Sequence, residues 1–122
     1  MKVIIDTNAF MVSHQFGIDI FDELQKLGFI EFVTLQQIID ELQRLAKNAK
    51  GKDMVAAKVA MKLAERCSII SCLSNADDAI VKEAQKLKAA VFTNDLELKR
   101  RLQTHGIKVV YMRQKNRLEL SD

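Results

Sequence analysis

The feature that most limits how this chain can fold is the alternation of short β-branched segments with longer segments of helical periodicity. Residues 3–5 (Val-Ile-Ile) form a continuous apolar run, as in a strand buried on both faces. Similar runs recur at 30–33, 68–71, 90–93 and 107–111. Strands separated by helices favour parallel pairing, so the pattern predicts a three-layer α/β/α sandwich with a central parallel sheet of about five strands.

Helical segments fill the intervals between these runs. An apolar stripe predicts a helix that ends near Gly28: Ile20, Phe21, Leu24 and Leu27. The stretch from Thr34 to Gln37 fits a capping box and predicts a helix as far as Ala46, followed by an exposed loop over 47–52 and a helix capped by Asp53. Two more helices are predicted to begin at 75–77 and 94–95, and 113–122 forms a basic tail with no assigned element.

Composition indicates one globular domain over 1–122. The chain is 48% hydrophobic and 29% charged, with four Gly and no Pro, which excludes a disordered or linker-rich chain. The net charge of +3 is a mild preference for anionic partners. Cys67 and Cys72 lack zinc-like spacing and suit buried thiols in a reducing compartment. With no secretory signal or membrane-length apolar stretch, we expect a cytoplasmic protein without a membrane partner.

Acidic residues fall where the predicted strands end. Asp6 ends the first strand, Asp77 and Asp78 follow the third, Asp95 follows the fourth, and Glu41 lies in the helix after the second. Ligands bind beyond the carboxyl ends of parallel strands, so we expect these acids at one edge of the sheet. Asp77 and Asp95 also suit helix N-caps, Asp78 a first helical turn, and Glu41 a solvated helix face. Asp6 interrupts a buried run, where an unpaired carboxylate is costly.

Clustered carboxylates repel one another and require a counter-charge. No Lys or Arg stands next to Asp6, Asp78 or Asp95 in the sequence, whereas a divalent ion would neutralise them. Mg²⁺ and Mn²⁺ prefer oxygen ligands, and His and Cys are scarce in this chain. Carboxylates that hold such an ion suit attack by a metal-activated water on a phosphodiester. The pattern therefore favours a hydrolase that uses Mg²⁺ or Mn²⁺.

Four motifs resemble those of the PIN-domain (PilT N-terminus) nucleases. In chain order they are Asp6-Thr7-Asn8, Glu41, Ala76-Asp77-Asp78-Ala79-Ile80 and Thr93-Asn94-Asp95. They occur in the family's order from residue 3 to about residue 113, which is nearly the whole chain. The resemblance implies a single PIN domain that acts as a metal-dependent endoribonuclease.

The resemblance also implies roles for individual residues. The four acids that match the metal-binding and catalytic positions are Asp6, Glu41, Asp78 and Asp95. Asp78 is preferred over Asp77 because Ala-Ile-Val follows it, so that Asp77 either assists or only caps the helix. The supporting polar residues are Thr7, Asn8, Asp77, Thr93 and Asn94.

Two branches of the family fit. One contains VapC-type toxins, which are inhibited by an antitoxin, and the other contains single-domain archaeal and eukaryotic relatives of rRNA-processing endonucleases. The Asp77-Asp78 pair and residues 95–101 look more like the second. The implied partners are RNA and either an antitoxin or a ribosome-assembly partner. A homodimer through an apolar surface of the early helices is a further hypothesis: Phe16, Phe21 and Phe29.

Basic residues cluster in two regions that could guide RNA toward the acids. The RNA-contact candidates are Arg44, Lys47, Lys50, Lys52, Arg100 and Arg101, with further basic residues at Lys58, Lys99, Arg113, Lys115 and Arg117. The alternative is that these residues simply solvate helix faces. No aromatic stacking platform is evident in the sequence, so base-specific reading is not predicted. His105, beside Gly106, suits a helix C-terminus.

Other functional classes fit less well. A haloacid-dehalogenase-type phosphatase requires a second Asp where Asn8 stands. A response-regulator receiver requires paired acids after the first strand, where this chain has a single Asp6. A PIN-like module that has lost catalysis and only binds RNA or protein remains open, although the complete acid set argues against it.

Overall fold

The computed structural model describes residues 1–114 and 116–121, and a six-stranded sheet forms its centre. The strands are β1 (Lys2–Ile5), β2 (Glu31–Leu35), β3 (Ser68–Ile70), β4 (Ala90–Phe92), β5 (Val109–Arg113) and β6 (Arg117–Ser121). Their order across the sheet is β3-β2-β1-β4-β5-β6. The first five are parallel, as predicted, and β6 pairs antiparallel with β5. The segment from 113 onward thus supplies a strand that was not predicted.

Helices cover both faces of the sheet: α1 (Thr7–Phe16), α2 (Ile20–Lys26), α3 (Gln36–Asn48), α4 (Lys52–Ala64), α5 (Ala76–Leu87) and α6 (Leu96–Thr104). Helices α1, α3 and α4 pack together, while α5 packs on β1, β2 and β4. Val3, Ile4 and Ile5 are all fully buried although successive strand residues point to opposite faces. This confirms the predicted three-layer α/β/α arrangement. In the described part of the chain, no helix has the length and apolarity that crossing a membrane requires.

Two local predictions about helix starts are wrong, and one helix was missed. Thr34 does not cap α3, because it is fully buried in β2 and its Oγ1 donates to the Ile5 carbonyl at 3.0 Å. Helix α3 begins at Gln36 with no side-chain cap and continues to Asn48, which shortens the predicted loop. Asp53 lies in the first turn of α4 rather than at its N-cap. Helix α1 was not predicted, because Asp6 reads as the end of a strand and also caps this helix.

The strand register brings the chemically interesting residues together. Ile5 pairs with Phe92, and the backbone N–H of Asp6 donates to the Phe92 carbonyl at 3.0 Å. Asp6 and Thr93, which are 87 residues apart, are therefore neighbours where β1 and β4 end. Helices α1 and α6 begin beside them. We call this side of the molecule the carboxyl edge.

Cysteine and phenylalanine placement tests two further predictions. Cys67 and Cys72 are free and half-buried, and burial raises the pKa of Cys67 to about 12, which suits an unreactive thiol. Phe21 and Phe29 are buried in the core, so they cannot supply the apolar surface suggested for a homodimer. Phe16 is 40% exposed at the end of α1.

Candidate active site

Asp6 is buried at the carboxyl edge and is held there by hydrogen bonds. Its Oδ1 accepts from the Thr7 backbone N–H at 2.8 Å, and its Oδ2 accepts from Thr93 Oγ1 at 2.8 Å. Burial raises the pKa of Asp6, the bonds from Thr93 and Thr7 oppose that rise, and the charges of Asp77 and Glu41 add to it. A fixed carboxylate surrounded by like charges is suited to receive a cation.

The supporting polar residues tie three strand ends together. Asn8 Nδ2 donates to Asp6 Oδ2 at 3.2 Å, and Asn8 Oδ1 accepts from the Asn94 backbone N–H at 2.9 Å. Asn94 Oδ1 in turn accepts from the Met112 backbone N–H at 2.8 Å. These bonds link the ends of β1, β4 and β5, as expected of residues that orient the acids.

Glu41 faces this network from α3. Thr7 Oγ1 donates to Glu41 Oε2 at 3.0 Å, although the two residues are 34 positions apart. The side chain is half-buried, so it is not the fully solvated helix residue that was the alternative interpretation. Glu41 sits in the interior of α3, where no helix terminus requires an acid. Helix capping therefore does not explain the acid at position 41.

The sequence predicts two roles for Asp95, as a helix N-cap and as an acid of the site, and its position in the structure is compatible with both. It is the N-cap of α6, where its Oδ1 accepts from the backbone N–H groups of Glu97 and Leu98 at 2.9 and 3.1 Å. Its own N–H donates to Thr93 Oγ1 at 3.2 Å, so the buried Thr93 hydroxyl connects Asp95 with Asp6. The cap interpretation is confirmed, and the same bonds hold Asp95 beside the other acids.

Asp77 and Asp78 are adjacent in sequence but have different surroundings. Asp78 receives hydrogen bonds from Arg101 and, at 2.9 Å, from Asn75 Nδ2, and the Arg101 bond is the first cause of its lowered pKa. The pKa of Asp77 is raised, first by loss of solvent and then by the charge of Asp95, with Arg101 opposing. Asp78 and Glu41 add smaller contributions to that rise. Asp77 thus shares the field of the other acids, whereas Asp78 is neutralised by Arg101.

Gln37 is a positioning residue that the sequence did not reveal. Instead of completing a capping box, its Nε2 donates to the carbonyls of Cys72 and Ser74 at 2.6 and 2.8 Å. Those carbonyls belong to the loop between β3 and α5, which leads to Asp77. Gln37 Oε1 is buried without a partner among the described atoms. One side chain on α3 therefore fixes the loop that precedes Asp77 and Asp78.

Oxygen atoms are the donors at the carboxyl edge, which fits a hard divalent ion such as Mg²⁺ or Mn²⁺. Burial is the first cause of the raised pKa values of Asp6 and Asp77, and a cation would relieve the further part that the neighbouring acids add. Within residues 1–114 and 116–121, no three His, Cys, Asp or Glu side chains already stand close enough to coordinate one ion. An ion would have to draw the acids together.

The predicted RNA-contact residues do not share one environment. Arg44 lies one helical turn after Glu41 on α3 and is exposed, as is Arg100 on α6. Arg101 is engaged with Asp78 at the border of the acids. Three other candidates are exposed on the α3–α4 hairpin: Lys47, Lys50 and Lys52.

The remaining basic residues differ in their surroundings, and two of those near the C-terminus form ion pairs with a glutamate. Arg113 and Arg117 pair with Glu119 at 3.0 and 3.2 Å. Lys115 lies outside the described residues. Lys58 is exposed on α4, and Lys99 lies over the ring of Tyr111. His105 is the C-cap of α6, as predicted.

Comparison with known proteins agrees with this geometry. Residues 3–115 match the family described as PIN like domain. The chain is 32% identical over 115 residues to Ribonuclease VapC9 of Archaeoglobus fulgidus, covering 94% of this chain and 85% of that protein. It is 33% identical over 125 aligned positions to Ribonuclease VapC4 of Methanocaldococcus jannaschii, covering 98% and 95%.

Solved structures share the architecture. The PIN domain endonuclease Utp24 superposes with a TM-score of 0.78 at 27% identity, covering 98% of this chain and 90% of that one. VapBC2 of Rickettsia felis, solved with a DNA fragment from its promoter, has a TM-score of 0.66 at 15% identity over 93% and 100%, a likeness of fold alone. The family match, the two relatives and the shared topology lead to one statement: the chain belongs to the PIN-like domain family.

Proposed function

We propose that this chain is a divalent-metal-dependent endoribonuclease that hydrolyses RNA phosphodiester bonds at the carboxyl edge. The observation that carries the proposal is a hydrogen-bond network that joins acids from separate segments: Thr93 Oγ1 bonds the Asp6 carboxylate and the Asp95 backbone, and Thr7 bonds both Asp6 and Glu41. Asp77 stands within the electrostatic influence of Asp95 and Glu41. The names of the VapC9 and VapC4 ribonucleases and of the Utp24 endonuclease support the same activity. In this proposal the acids that hold the ion are Asp6, Glu41, Asp77 and Asp95.

The protein's own residues would prepare the site before RNA arrives. Thr93 and Thr7 fix the two Asp6 oxygens, and Thr7 also orients Glu41. When bound, Mg²⁺ or Mn²⁺ would supply a more acidic water and neutralise charge that develops on the phosphate. The backbone N–H groups of Glu97 and Leu98 at the start of α6 orient the Asp95 carboxylate. Cytoplasmic RNA would be the substrate class.

For the third acid we propose Asp77 in place of Asp78. Asp77 shares the field of Glu41 and Asp95, whereas Asp78 is paired with Arg101. Asp78 would hold Arg101 near the acids and so moderate the negative charge there. This reverses the preference taken from the residues that follow Asp78 in the sequence.

The direct test is cleavage of end-labelled single-stranded RNA in Mn²⁺, in EDTA, and by three matched Asp→Asn variants. We expect cutting in Mn²⁺, none in EDTA, and severe loss in Asp95→Asn and Asp77→Asn but only a modest loss in Asp78→Asn. Cutting that survives Asp95→Asn would reject the site. A greater loss in Asp78→Asn than in Asp77→Asn would restore Asp78 as the third acid. No cutting by a well-folded wild type that binds Mn²⁺ would favour the binding-only module.

A second question is the biological role, for which we propose a VapC-type toxin that an antitoxin inhibits. The specific observation is that both curated relatives are VapC ribonucleases that align with nearly all of this chain. Induced expression should then arrest growth, and Asp95→Asn should abolish the arrest. The alternative is an rRNA-processing role, which the Utp24 likeness supports. Unimpeded growth with a wild-type protein that is active in extracts would favour that alternative.

A further inference from the structure

A groove of about 370 Å³ opens beside the acids, between α1 and β5. Part of its lining is polar: Asn8 and Thr93 bond Asp6, and the Asn94 backbone N–H bonds Asn8. The lining on the side of α6 and β5 combines apolar, aromatic and basic side chains: Leu96, Lys99, Tyr111 and Met112. The groove therefore shares three residues with the hydrogen-bond network around Asp6, which places it next to the carboxyl edge.

Tyr111 gives this groove a fixed aromatic ring. Its hydroxyl donates to Glu119 Oε2 at 3.1 Å, which anchors the ring to the paired strand β6. Lys99 Nζ lies 3.7 Å from the ring centroid, in the geometry of a cation–π contact. Leu96, in the first turn of α6, is 68% exposed at the same opening. A cation, a ring face and an exposed apolar side chain thus stand together next to the acids.

This combination of groups matches the base and the phosphate of a nucleotide. A base offers a flat π-face that stacks on aromatic side chains without regard to sequence, and its phosphate pairs with a nearby ammonium group. The acids repel the phosphate backbone elsewhere at this edge, so the Lys99 cation supplies local attraction on the groove side. The ring comes from β5 and the cation from α6, which explains why no stacking platform is visible in the sequence.

We propose that this groove is a nucleotide subsite: it holds the nucleotide next to the scissile phosphate, where the base takes the place of the Lys99 ammonium on the Tyr111 ring and Lys99 turns to the phosphate. The proposal rests on the proposed ribonuclease function and adds to it a place for the substrate. It commits to RNA as the occupant because the groove shares Asn8, Thr93 and Asn94 with the network that holds Asp6. A protein segment in the same groove is an outcome that the test distinguishes.

The protein carries its own probe for this subsite. Tyr111 is its only Tyr and it has no Trp, so tyrosine emission reports this groove alone. Wild-type protein in EDTA is titrated with the dinucleotide UpU and with an abasic ribose–phosphate dinucleotide. N-acetyltyrosinamide, titrated in parallel, corrects for light absorbed by the base.

We expect saturable quenching by UpU and none by the abasic compound. Saturable binding of UpU by calorimetry that leaves tyrosine emission unchanged would overturn the subsite. So would equal effects of the two dinucleotides, which would mean that the base is not recognised.

Variants then separate the ring from the cation. By anisotropy with a fluorescein-labelled uridine 12-mer in EDTA, Tyr111→Leu should weaken binding at least about fivefold, whereas Tyr111→Phe keeps the stacking face and stays near wild type. Lys99→Met should reduce the slope of log K against log salt by about 0.7, and Lys86→Met, on the exposed surface of α5, should not. Circular dichroism confirms that each variant is folded. Equal binding by Tyr111→Leu and wild type would overturn the subsite.

Failure of the subsite and failure of the nuclease proposal give different results. RNA cleavage that depends on Asp95, together with no tyrosine quenching, overturns the subsite and leaves the nuclease proposal intact. Quenching without cleavage keeps the groove as a nucleotide-binding site and overturns the nuclease proposal. Wild-type protein that neither binds nor cuts RNA overturns both, and leaves the groove to a protein segment.

Discussion

The carboxyl edge of the central sheet has acids at its helix starts, whereas the opposite edge has a groove lined with basic side chains. At the carboxyl edge, Asp6 and Asp95 cap α1 and α6, and Asp77 lies in the first turn of α5. At the opposite, amino edge, Lys88 and His105 are the C-caps of α5 and α6. A groove of about 550 Å³ opens there, and no carboxylate side chain stands among the described residues that line it.

Much of this polarity follows from chain direction. Helices that return from parallel strands place their N-termini at the carboxyl edge and their C-termini at the amino edge, and the helix dipole favours acids at the first and bases at the second. Glu41 does not fit that rule, because it lies in the interior of α3 and still faces the acids. Helix termini are therefore sufficient to account for Asp6, Asp77 and Asp95, whereas they do not account for Glu41.

The strongest test of whether the two edges differ in function is to remove an acid from one and a base from the other. Asp6→Asn should lower RNA cleavage by at least about 100-fold, since it removes a charge that we propose holds the metal and disturbs the bond from Thr93. Lys108→Gln, at the amino edge, should leave cleavage unchanged. Initial rates in Mn²⁺ measure both. Equal losses would mean that the two edges do not differ in function.

Stability should also respond more strongly at the carboxyl edge. Thr93→Val removes a fully buried hydroxyl that donates to Asp6 and accepts from Asp95, and should lower the free energy of unfolding by about 1–3 kcal/mol. The matched control is Thr104→Val, whose hydroxyl bonds an exposed helical carbonyl and should change it by less than about 0.5 kcal/mol. Urea denaturation measures both, and a neutral Thr93→Val would contradict the network.

Metal binding should stabilise the protein through the acids. At ten times its dissociation constant, Mn²⁺ should add about 1.4 kcal/mol and raise Tm by about 5 °C. The raised pKa values of Asp6 and Asp77 mean that folding favours their protonated forms. That stability is complete below the ordinary value of 3.8 and is lost as pH rises through the raised values.

The Mn²⁺-induced rise in Tm should therefore grow with pH over that window and be small at pH 4. Differential scanning fluorimetry across pH measures it. The double variant Asp6→Asn/Asp77→Asn is the control and should show little shift. A shift of equal size in wild type and the double variant would place the ion elsewhere.

Gln37 tests how the third acid is delivered. Gln37→Leu removes both bonds to the loop before α5 and should cost about 1 kcal/mol, since a buried oxygen without a partner is removed at the same time. It should also lower cleavage, because Asp77 is less firmly placed. Gln36→Leu, which loses only an exposed bond to Asp40, should do neither. Identical Tm values and rates for the two variants would contradict a positioning role.

The smallest expected effect lies at the amino edge. Lys88 adopts the left-handed conformation, with φ of 56°, at the end of α5. Lys88→Gly should relieve about 1 kcal/mol of backbone strain and raise Tm slightly without changing cleavage. Thermal denaturation and RNA cleavage check this. A change in cleavage rate would show that the amino edge communicates with the acids.

The sequence predicted those features that depend on residues within a single strand or helix. Continuous apolar runs predicted the five parallel strands, and the residues after those runs predicted the acidic edge. Helix α1 was hidden because Asp6 ends a strand and caps a helix at once. Strand β6 was hidden because its pairing with β5 depends on register rather than on a strong apolar run.

Contacts between distant segments could not be predicted. Thr34 and Gln37 fit a local capping box, yet Thr34 bonds β1 and Gln37 bonds the loop after β3. The different environments of Asp77 and Asp78 depend on Arg101, which lies on another helix. The groove at Tyr111 likewise requires the ends of β4 and β5 to meet. In each case the decisive partner is set by topology rather than by neighbours in sequence.

The multiple bonds of Asp6 have a consequence for how this domain can evolve. Asp77 is exposed and caps no helix, so a lineage released from selection for cleavage can replace it at little cost to folding. Asp95 can be replaced at the cost of one helix cap. Asp6 holds a helix, a strand end and a buried threonine together, so it should be the last of these acids to drift. In a descendant that retains Asp6 alone among these acids, Asp6 would therefore have been kept for folding and not for cleavage.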